Sequence, residues 1–254
     1  MDKELFGKLQ ESLDQMEAHA SGKQLPGASE VTKDVRSPCS GFGADGFKLQ
    51  AERFEWTIGF DFEEQARSEG YRFIAGVDEV GRGCLAGPVV AAACILDLAK
   101  PVPAGLNDSK KLTEKRREAI AAELSESAVA FAIGAVEADE IDRINILEAT
   151  KKAMTLAVEA LEPAADYLLI DALQLRTLRL PQKALIKGDS ISYSIAAASV
   201  IAKTYRDDLM KRLDAEFPQY GFAGHKGYGS ASHFAALRSH GPCPYHRLSF
   251  KGVI

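Results

Sequence analysis

From Asp61 onward, the apolar and polar positions of the chain follow regular patterns that predict a sheet covered by helices. Short apolar runs of the kind that form buried strands occur at 72–77, 87–96, 129–137, 166–171 and 182–189. Helical spacing, with capping residues or prolines at the ends, occurs at 61–70, 113–128, 138–162 and 194–218. The third of these segments fits one helix or two. Because hairpin-like strands come first and strands alternating with helices follow, we predict an α/β fold with a mixed sheet.

The first sixty residues follow a different pattern. Met1–Ala18 carries leucines and a methionine near helical spacing and is predicted to form a short amphipathic helix. The stretch 19–47 is rich in Gly, Ser and Pro without clear periodicity, which is typical of a linker. We therefore divide the chain into an N-terminal extension, 1–60, and a globular domain, 61–254.

Composition limits the function classes without choosing one. The 254 residues are 46% hydrophobic and 26% charged with a formal net charge of −5, so a nucleic-acid site would have to be a local basic patch. The four cysteines are scattered, without CxxC spacing, which argues against a disulfide framework or a zinc site. No apolar run is long enough to span a membrane, and the N-terminus lacks a signal-peptide core. We expect a cytoplasmic protein.

Acidic residues end three of the predicted strands. Asp78 and Glu79 follow the first strand, Asp171 ends "LLID" and Asp189 ends "LIKGD". Strand ends of the same sense gather at one edge of a sheet, so we expect these four carboxylates to converge. They would repel one another unless divalent cations neutralised them, and an all-oxygen ligand set favours Mg²⁺ or Mn²⁺ over zinc. The alternative for an isolated Asp-Glu pair is a turn cap beside a solvated glutamate, but three such ends favour a metal site.

Three further stretches are candidates for phosphate, sugar or base contacts. Gly81 and Gly83 leave the backbone open on both sides of Arg82, which allows a ligand to approach the amides closely. Backbone donors, a hydroxyl and ammonium groups suited to a phosphate come together at Ser109, Lys110 and Lys111. The loop "YGFAGHKGYGS" adds aromatic and basic groups at His225, Lys226 and Tyr228. Taken singly, these stretches are also compatible with an ordinary turn, a solvated charge run and a packing loop.

Together these motifs resemble those of bacterial ribonuclease HII in order and spacing. The matching segments are "AGVDEVGRG", "LNDSKKL", "LLID", "KGDS", "SIAAASVIAKTYRD", "FPQYGFAGHKGYGS" and "HRLSF". They run from about Phe62 nearly to the C-terminus. The resemblance implies a ribonuclease H-like fold, with a five-stranded mixed sheet flanked by helices and a small C-terminal helical portion. It also implies that Mn²⁺ or Mg²⁺ is the cofactor, held by Asp78, Glu79, Asp171 and Asp189.

The resemblance implies roles for the remaining candidates as well. The Gly81–Gly83 backbone would grip the ribonucleotide 2′-hydroxyl at an RNA–DNA junction, and Tyr228 would stack on the next deoxyribose. Phosphate contacts are implied for Lys110, Lys111 and the helix that contains Ser199 and Lys203. The sequence departs from the family at Cys84, where many relatives carry Pro, and at Ser230, where Thr is usual.

The implied activity is that of a monomeric endoribonuclease acting on RNA–DNA hybrids and on duplex DNA with embedded ribonucleotides. It would cut on the 5′ side of the ribonucleotide by a two-metal mechanism and leave 3′-hydroxyl and 5′-phosphate ends. The family allows a sliding-clamp contact, but the C-terminal segment shows no peptide motif for one.

Three alternatives stay open at this point. Ribonuclease HIII shares the scaffold, but its sequence differs where this chain has "DEVGRG". It also carries a sheet-forming N-terminal domain, which residues 1–56 do not resemble. A transposase- or integrase-type nuclease would use the same acids on DNA that lacks ribonucleotides. A catalytically silent nucleic-acid-binding protein would not need all four acids.

Overall fold

The computed structural model describes residues 57–254. The predicted N-terminal helix and linker lie outside the described residues. The division of the chain at residue 60 therefore stays a prediction.

The described residues form five strands and seven α-helices. The strands are β1 (Ile74–Val80), β2 (Val89–Ile95), β3 (Ala130–Val136), β4 (Tyr167–Asp171) and β5 (Gln182–Leu185). The helices are α1 (Asp61–Ser68), α2 (Glu114–Ser127), α3 (Ala138–Ile144), α4 (Ile146–Glu159), α5 (Tyr193–Glu216), α6 (Phe222–His225) and α7 (Ala231–His240). Short 3₁₀ helices lie at Ser109–Lys111, Gly188–Ser190 and Pro218–Tyr220. None of the helices within 57–254 combines the length and the apolar character needed to cross a bilayer.

The five strands form one mixed sheet in the order β3-β2-β1-β4-β5. β1 is antiparallel to β2 and parallel to β4, and β4 is parallel to β5. Val77 on β1 lies opposite Ile170 on β4, so the residues that follow them, Asp78 and Asp171, come to the same edge of the sheet. The predicted mixed sheet with helices is confirmed.

Both faces of the sheet are covered by helices. Ala91 and Ala93 of β2 pack into a core with α4, whereas Ala92 and Cys94 pack into a second core with α2 and α5. This alternation follows from the two-residue period of a strand, and small side chains on β2 let the helices approach closely. The predicted C-terminal helical portion is also present: α6, α7 and the residues after them pack with the end of α5 in a third core.

Two predicted boundaries change in the structure, and one alternative that the sequence left open is decided. β1 continues to Val80, so Asp78 and Glu79 lie within the strand and not after it. β5 ends at Leu185 because Lys187 adopts a left-handed conformation with φ 56°, and the following 3₁₀ helix carries Asp189. The segment 138–162 forms two helices, because Asn145 breaks it with φ 72° and caps α4 through its side chain.

Candidate metal and nucleic-acid site

Asp78 is buried at the centre of the sheet edge. Its Oδ1 accepts a hydrogen bond from the amide of Glu79 at 2.7 Å, and its carboxylate is also hydrogen-bonded by Ser199 on α5. Burial, and then the charge of Glu79, raise the pKa of Asp78 well above its usual range. Burial also raises the pKa of Glu79, although Arg82 opposes it with an ion pair of 3.2 Å.

Asp171 and Asp189 join this edge from β4 and from the turn after β5. Oδ1 of Asp171 accepts a hydrogen bond from the amide of Gly188 at 2.8 Å, which ties the end of β4 to the turn that carries Asp189. Burial, and then the charge of Asp108, raise the pKa of Asp189. Lys110 Nζ lies 3.5 Å from Asp189 Oδ2. The charge of Asp171 raises the pKa of Asp78, Glu79 and Asp189, so the four acids are electrostatic neighbours.

The chemistry of this edge fits a divalent cation. Four carboxylates lie along it, two of them buried, Asp78 and Asp189, and three with a raised pKa. The donor atoms are all oxygen, which suits Mg²⁺ or Mn²⁺. Within 57–254, no three acidic, histidine or cysteine side chains are already arranged as a complete metal-binding group. Two of the carboxylates instead pair with cations of the chain itself, Glu79 with Arg82 and Asp189 with Lys110. The metal assignment stays a prediction.

The "LNDSKKL" segment lies beside the acids, but its three candidates are not equivalent. Ser109 is buried, and its hydroxyl shares a 2.9 Å hydrogen bond with Ser199, which in turn contacts Asp78. Lys111 Nζ donates to Ser190 Oγ at 3.1 Å. Lys110 is largely exposed and faces the acids. The lysines can therefore reach a phosphate, whereas the Ser109 side chain supports the site from beneath.

The Gly-Arg-Gly turn follows the acids directly. Gly81 has φ +89°, and a Cβ built on it would lie 2.2 Å from Nε of Arg206, so this position admits only glycine. A Cβ built on Gly83 would meet no atom within 4 Å. The Arg82 side chain turns toward Glu79, which leaves the backbone at Gly83 open to a ligand.

The loop "GHKGY" presents one of its three candidates to solvent. Tyr228 is 44% exposed. Nε2 of His225 bonds the carbonyl oxygen of Tyr220 at 2.8 Å, and Lys226 Nζ turns back to donate to the carbonyl oxygen of Ala223 at 2.6 Å. His225 and Lys226 therefore shape the loop, and the aromatic ring of Tyr228 is its free contact surface.

Two buried histidines behind this loop, His233 and His246, form a series of hydrogen bonds that the sequence analysis did not identify. The amide of Cys243 donates to Nδ1 of His246 at 2.9 Å, so that nitrogen is unprotonated and Nε2 carries the proton. His246 Nε2 then donates to His233 Nε2 at 3.0 Å, and His233 Nδ1 donates to the carbonyl oxygen of Tyr228 at 2.9 Å. Burial, and next the charge of His233, lower the pKa of His246 to about 4.

Helix α5 contributes further polar residues that sequence patterns identified only in part. Lys203 Nζ donates to Asp207 Oδ1 at 2.6 Å, and the other oxygen of Asp207 pairs with Arg117 at 3.2 Å. Lys203 is thus committed to an ion pair within the protein. The sequence analysis gave no role to two buried arginines, Arg206 and Arg247. Their position in the motifs "TYRD" and "HRLSF" is the one sequence signal for them.

Comparison with known proteins identifies the family. The family model of ribonuclease HII matches residues 75–253. Ribonuclease HII of Chlamydia caviae is 58% identical over 193 residues, covering 76% of this chain and 90% of that protein. The RNase HII in a PCNA complex from Archaeoglobus fulgidus matches with a TM-score of 0.60 and 26% identity, over 71% of this chain and 96% of that one.

A more distant match shows the fold alone. Bst-RNase HIII in complex with Mn²⁺ has a TM-score of 0.59 at 24% identity, over 74% of this chain and 70% of that one. The expected ribonuclease H-like fold is confirmed by these likenesses. The family model and the curated relative at 58% identity both carry the name ribonuclease HII. The chain belongs to the ribonuclease HII family, and it is a metal-dependent hydrolase with ribonuclease activity on RNA–DNA hybrids.

Proposed function

We propose that this protein hydrolyses the phosphodiester on the 5′ side of a ribonucleotide, in RNA–DNA hybrids and in duplex DNA with embedded ribonucleotides. The products would carry 3′-hydroxyl and 5′-phosphate ends. The observation that carries the proposal is the continuity of β1 with the Gly-Arg-Gly turn. Asp78 and Glu79 stand on the strand, and an open backbone suited to a ribose follows at Gly83.

Asp78, Glu79, Asp171 and Asp189 would hold two divalent cations, Mn²⁺ or Mg²⁺. When bound, such cations supply activation of a water molecule and stabilisation of the leaving 3′-oxygen. The residues of the chain prepare this edge. The amide of Glu79 and the hydroxyl of Ser199 orient Asp78, and the amide of Gly188 orients Asp171. A solved ribonuclease HIII contains Mn²⁺, which supports the choice of cation.

Recognition of the ribose would be divided between the turn and the loop. The 2′-hydroxyl is the group that distinguishes RNA from DNA, and open backbone amides at Gly81–Gly83 can bond to it. Tyr228 would stack on the sugar of the following deoxynucleotide, which its exposed ring allows. Lys110 and Lys111 would contact phosphates, while Ser109, Ser199, Lys203, His225 and Lys226 would support these contacts from within the protein.

We further propose that the protein acts as a monomer in the cytoplasm, where its DNA substrate lies. One solved relative is a complex with PCNA, but no motif of this chain supports a clamp contact, and none is proposed.

Cleavage-site mapping tests the proposal. Three end-labelled duplexes are compared in Mn²⁺, Mg²⁺ and EDTA: one with a single ribonucleotide, one RNA–DNA hybrid and one all-DNA duplex of the same sequence. We expect metal-dependent cutting of the first two, 5′ of the ribonucleotide, with 3′ ends that a polymerase can extend. Cutting of the all-DNA duplex would instead indicate a transposase- or integrase-type nuclease. Binding without cutting in any metal would indicate a silent binding protein.

A further inference from the structure

Two fully buried arginines lie beneath the Gly-Arg-Gly turn. Arg206 comes from α5 and Arg247 from the segment after α7, and both have 0% exposure. In the described part of the chain, neither forms a salt bridge with a carboxylate, and each guanidinium donates to main-chain carbonyl oxygens. Burial of an arginine without a carboxylate is costly, so a protein retains it where several carbonyls must be held in place.

Arg206 connects the turn region with the loop that carries Tyr228. Its Nε donates to the carbonyl oxygen of Pro88 at 3.0 Å and its Nη2 to that of Ala86 at 3.0 Å. Its Nη1 donates to the carbonyl oxygen of Lys226 at 2.8 Å, two residues before Tyr228. One planar group therefore sets the separation of two segments that are far apart in the sequence.

Arg247 holds the turn itself. Its Nη1 donates to the carbonyl oxygen of Arg82 at 3.0 Å, and its Nε and Nη2 both donate to that of Gly87, at 3.0 and 2.8 Å. Asp142 of α3 anchors the segment after Arg247 by accepting hydrogen bonds from the amides of Leu248 and Ser249 at 2.7 and 3.0 Å.

Backbone hydrogen bonds complete the connection between the two arginines. The amide of Leu85 donates to the carbonyl oxygen of Gly227, and the amide of Gly87 donates to that of Tyr245, each at 2.8 Å. The amide of Arg247 donates back to the carbonyl oxygen of Leu85, also at 2.8 Å. Residues 81–88 are thus enclosed between the Tyr228 loop and the Arg247 segment, with both guanidinium groups underneath.

We propose that Arg206 and Arg247 are positioning residues for ribose recognition. They hold the Gly81–Gly83 turn and the Tyr228 loop at one fixed separation, so that a 2′-hydroxyl and the next deoxyribose are recognised together. The proposal deepens the proposed function and rests on it, because it assumes that the turn and Tyr228 are the two ribose contacts.

The chemistry requires arginine at both positions. Lysine would keep the charge but has a single nitrogen. That nitrogen cannot reach the three carbonyl oxygens that Arg206 bonds, nor make the three hydrogen bonds that Arg247 gives to two carbonyl oxygens. A shorter or apolar residue would leave the buried carbonyl oxygens without donors. Arg206→Lys and Arg247→Lys therefore change the geometry of the donors and conserve their charge.

The test compares these two variants with the wild type on two substrates, the single-ribonucleotide duplex and the continuous hybrid. In a continuous hybrid, every position of the bound RNA strand places a ribose at the turn. A duplex with a single ribonucleotide can bind productively in only one position, with its ribose at the turn and the next deoxyribose at the loop. We expect the ratio of kcat/KM on the single-ribonucleotide duplex to that on the hybrid to fall at least tenfold. We also expect cuts to spread to phosphates next to the 5′ position.

Met154→Ala serves as the matched control, because Met154 is fully buried on the other side of the sheet and its truncation lowers stability without touching the site. It should leave the substrate ratio and the cut position unchanged. If either lysine variant shows no cooperative thermal transition, Arg206→Gln and Arg247→Gln replace them, because the neutral amide leaves no buried charge without matching acceptors.

Three outcomes overturn the inference, and they can be told apart. An unchanged ratio with unchanged cut positions in the arginine variants would show that these residues only stabilise the fold. An equal change in Met154→Ala would show that the ratio follows general stability. A wild type that cuts neither substrate would refute the proposed function, and the positioning role with it, before any variant is compared.

Discussion

The Nε2 atoms of His233 and His246 lie 3.0 Å apart, so one ring must donate the proton and the other must accept it. Because the amide of Cys243 occupies Nδ1 of His246, the donor is His246 and both rings are neutral. A second proton on either ring would break a hydrogen bond in the series that ends at the carbonyl oxygen of Tyr228. The fold therefore favours the neutral state of both rings.

This arrangement predicts a loss of stability in acid. The pKa of His246 is lowered to about 4 in the folded protein from 6.5, so the unfolded chain binds the extra proton between these values. The histidine's contribution to stability is complete above pH 6.5 and is lost as the pH falls toward 4. The free energy of unfolding should therefore fall with a slope approaching about 1.4 kcal/mol per pH unit for this one proton.

Urea unfolding between pH 7.5 and 4.5 measures this slope, with His246→Gln compared to the wild type. The variant should lose the part of the pH dependence that belongs to His246. His240→Gln, which alters an exposed histidine, should keep the wild-type slope. Parallel curves for His246→Gln and the wild type would contradict the assignment.

Asp78→Asn should abolish turnover while it spares the fold. The asparagine oxygen can still accept the hydrogen bond from the Glu79 amide, but the site loses a negative ligand. We expect cleavage to fall by more than about a hundredfold, as a lost charge at a reaction centre does. We also expect Mn²⁺ to raise the melting temperature of the variant less than that of the wild type. At an Mn²⁺ concentration a hundredfold above Kd, the free energy of unfolding of the wild type should rise by about 2.7 kcal/mol.

Differential scanning fluorimetry and the cleavage assay measure both effects. Asp208→Asn is the matched control, because this acid lies on α5 in an ion pair of 3.9 Å with Arg212. It should keep both the activity and the Mn²⁺ response. Near-normal activity of Asp78→Asn would remove Asp78 from the metal ligands.

Gly81→Ala and Gly83→Ala should fail in different ways. At Gly81 the new methyl group would collide with Arg206 and the residue would be held at φ +89°, so we expect a loss of about 2–3 kcal/mol of stability. At Gly83 the fold has room for the methyl group, so stability should stay within about 0.5 kcal/mol of the wild type. The methyl group would, however, keep the substrate from approaching the backbone closely. Because the proposed ribose contact would then be lost, cleavage should fall at least tenfold.

Thermal unfolding and kcat/KM on the single-ribonucleotide duplex distinguish the two effects. Gly224→Ala controls for the effect of an added methyl group on stability alone, because a methyl group there also meets no atom within 4 Å. Full activity of Gly83→Ala would show that no substrate group approaches this backbone.

Tyr228→Ala should weaken cleavage at a single ribonucleotide, whereas Tyr228→Phe should retain most of it, because stacking needs the ring and not the hydroxyl. The loss in the alanine variant should lie near the lower end of the 1–3 kcal/mol typical of an aromatic stacking contact, or roughly tenfold in kcat/KM. Tyr71→Ala controls for loss of an aromatic ring, because Tyr71 precedes β1 and packs against Tyr167, away from the acids. Equal losses on every substrate, with a lowered melting temperature, would instead indicate a folding defect.

The sequence predicted the sheet and the gathering of acids because both follow from local periodicity. Asp78 and Asp171 reach one edge since each closes an apolar run and the two strands are parallel. The end of β5 was placed too late, because Ile186 extends the apolar run although the structure leaves it 83% exposed. Periodicity reports burial on average, and a left-handed residue such as Lys187 leaves no trace in it.

Partners that come from distant parts of the chain could not be predicted in this way. From the sequence around them, Arg206 and Arg247 look like ordinary polar residues in or near a helix. Nothing in the neighbouring sequence indicates that their acceptors are carbonyl oxygens of residues 82–88. The same holds for His233 and His246, whose protonation states follow only from their contacts. Ser109 was predicted as a surface contact from its neighbours, yet it is buried against Ser199.

The strand order has a consequence for how the protein folds. β1, β2 and β3 pair antiparallel and arise early in the chain, whereas β4 must return to β1, as in the pairing of Ala75 with Leu168. Because non-local pairing is rewarded only after a large loop is closed, we expect Asp78 and Glu79 to be in place before Asp171 and Asp189 arrive. The carboxylates therefore come close enough to repel one another only in the last stage of folding. The first three strands can pair without opposition from this repulsion.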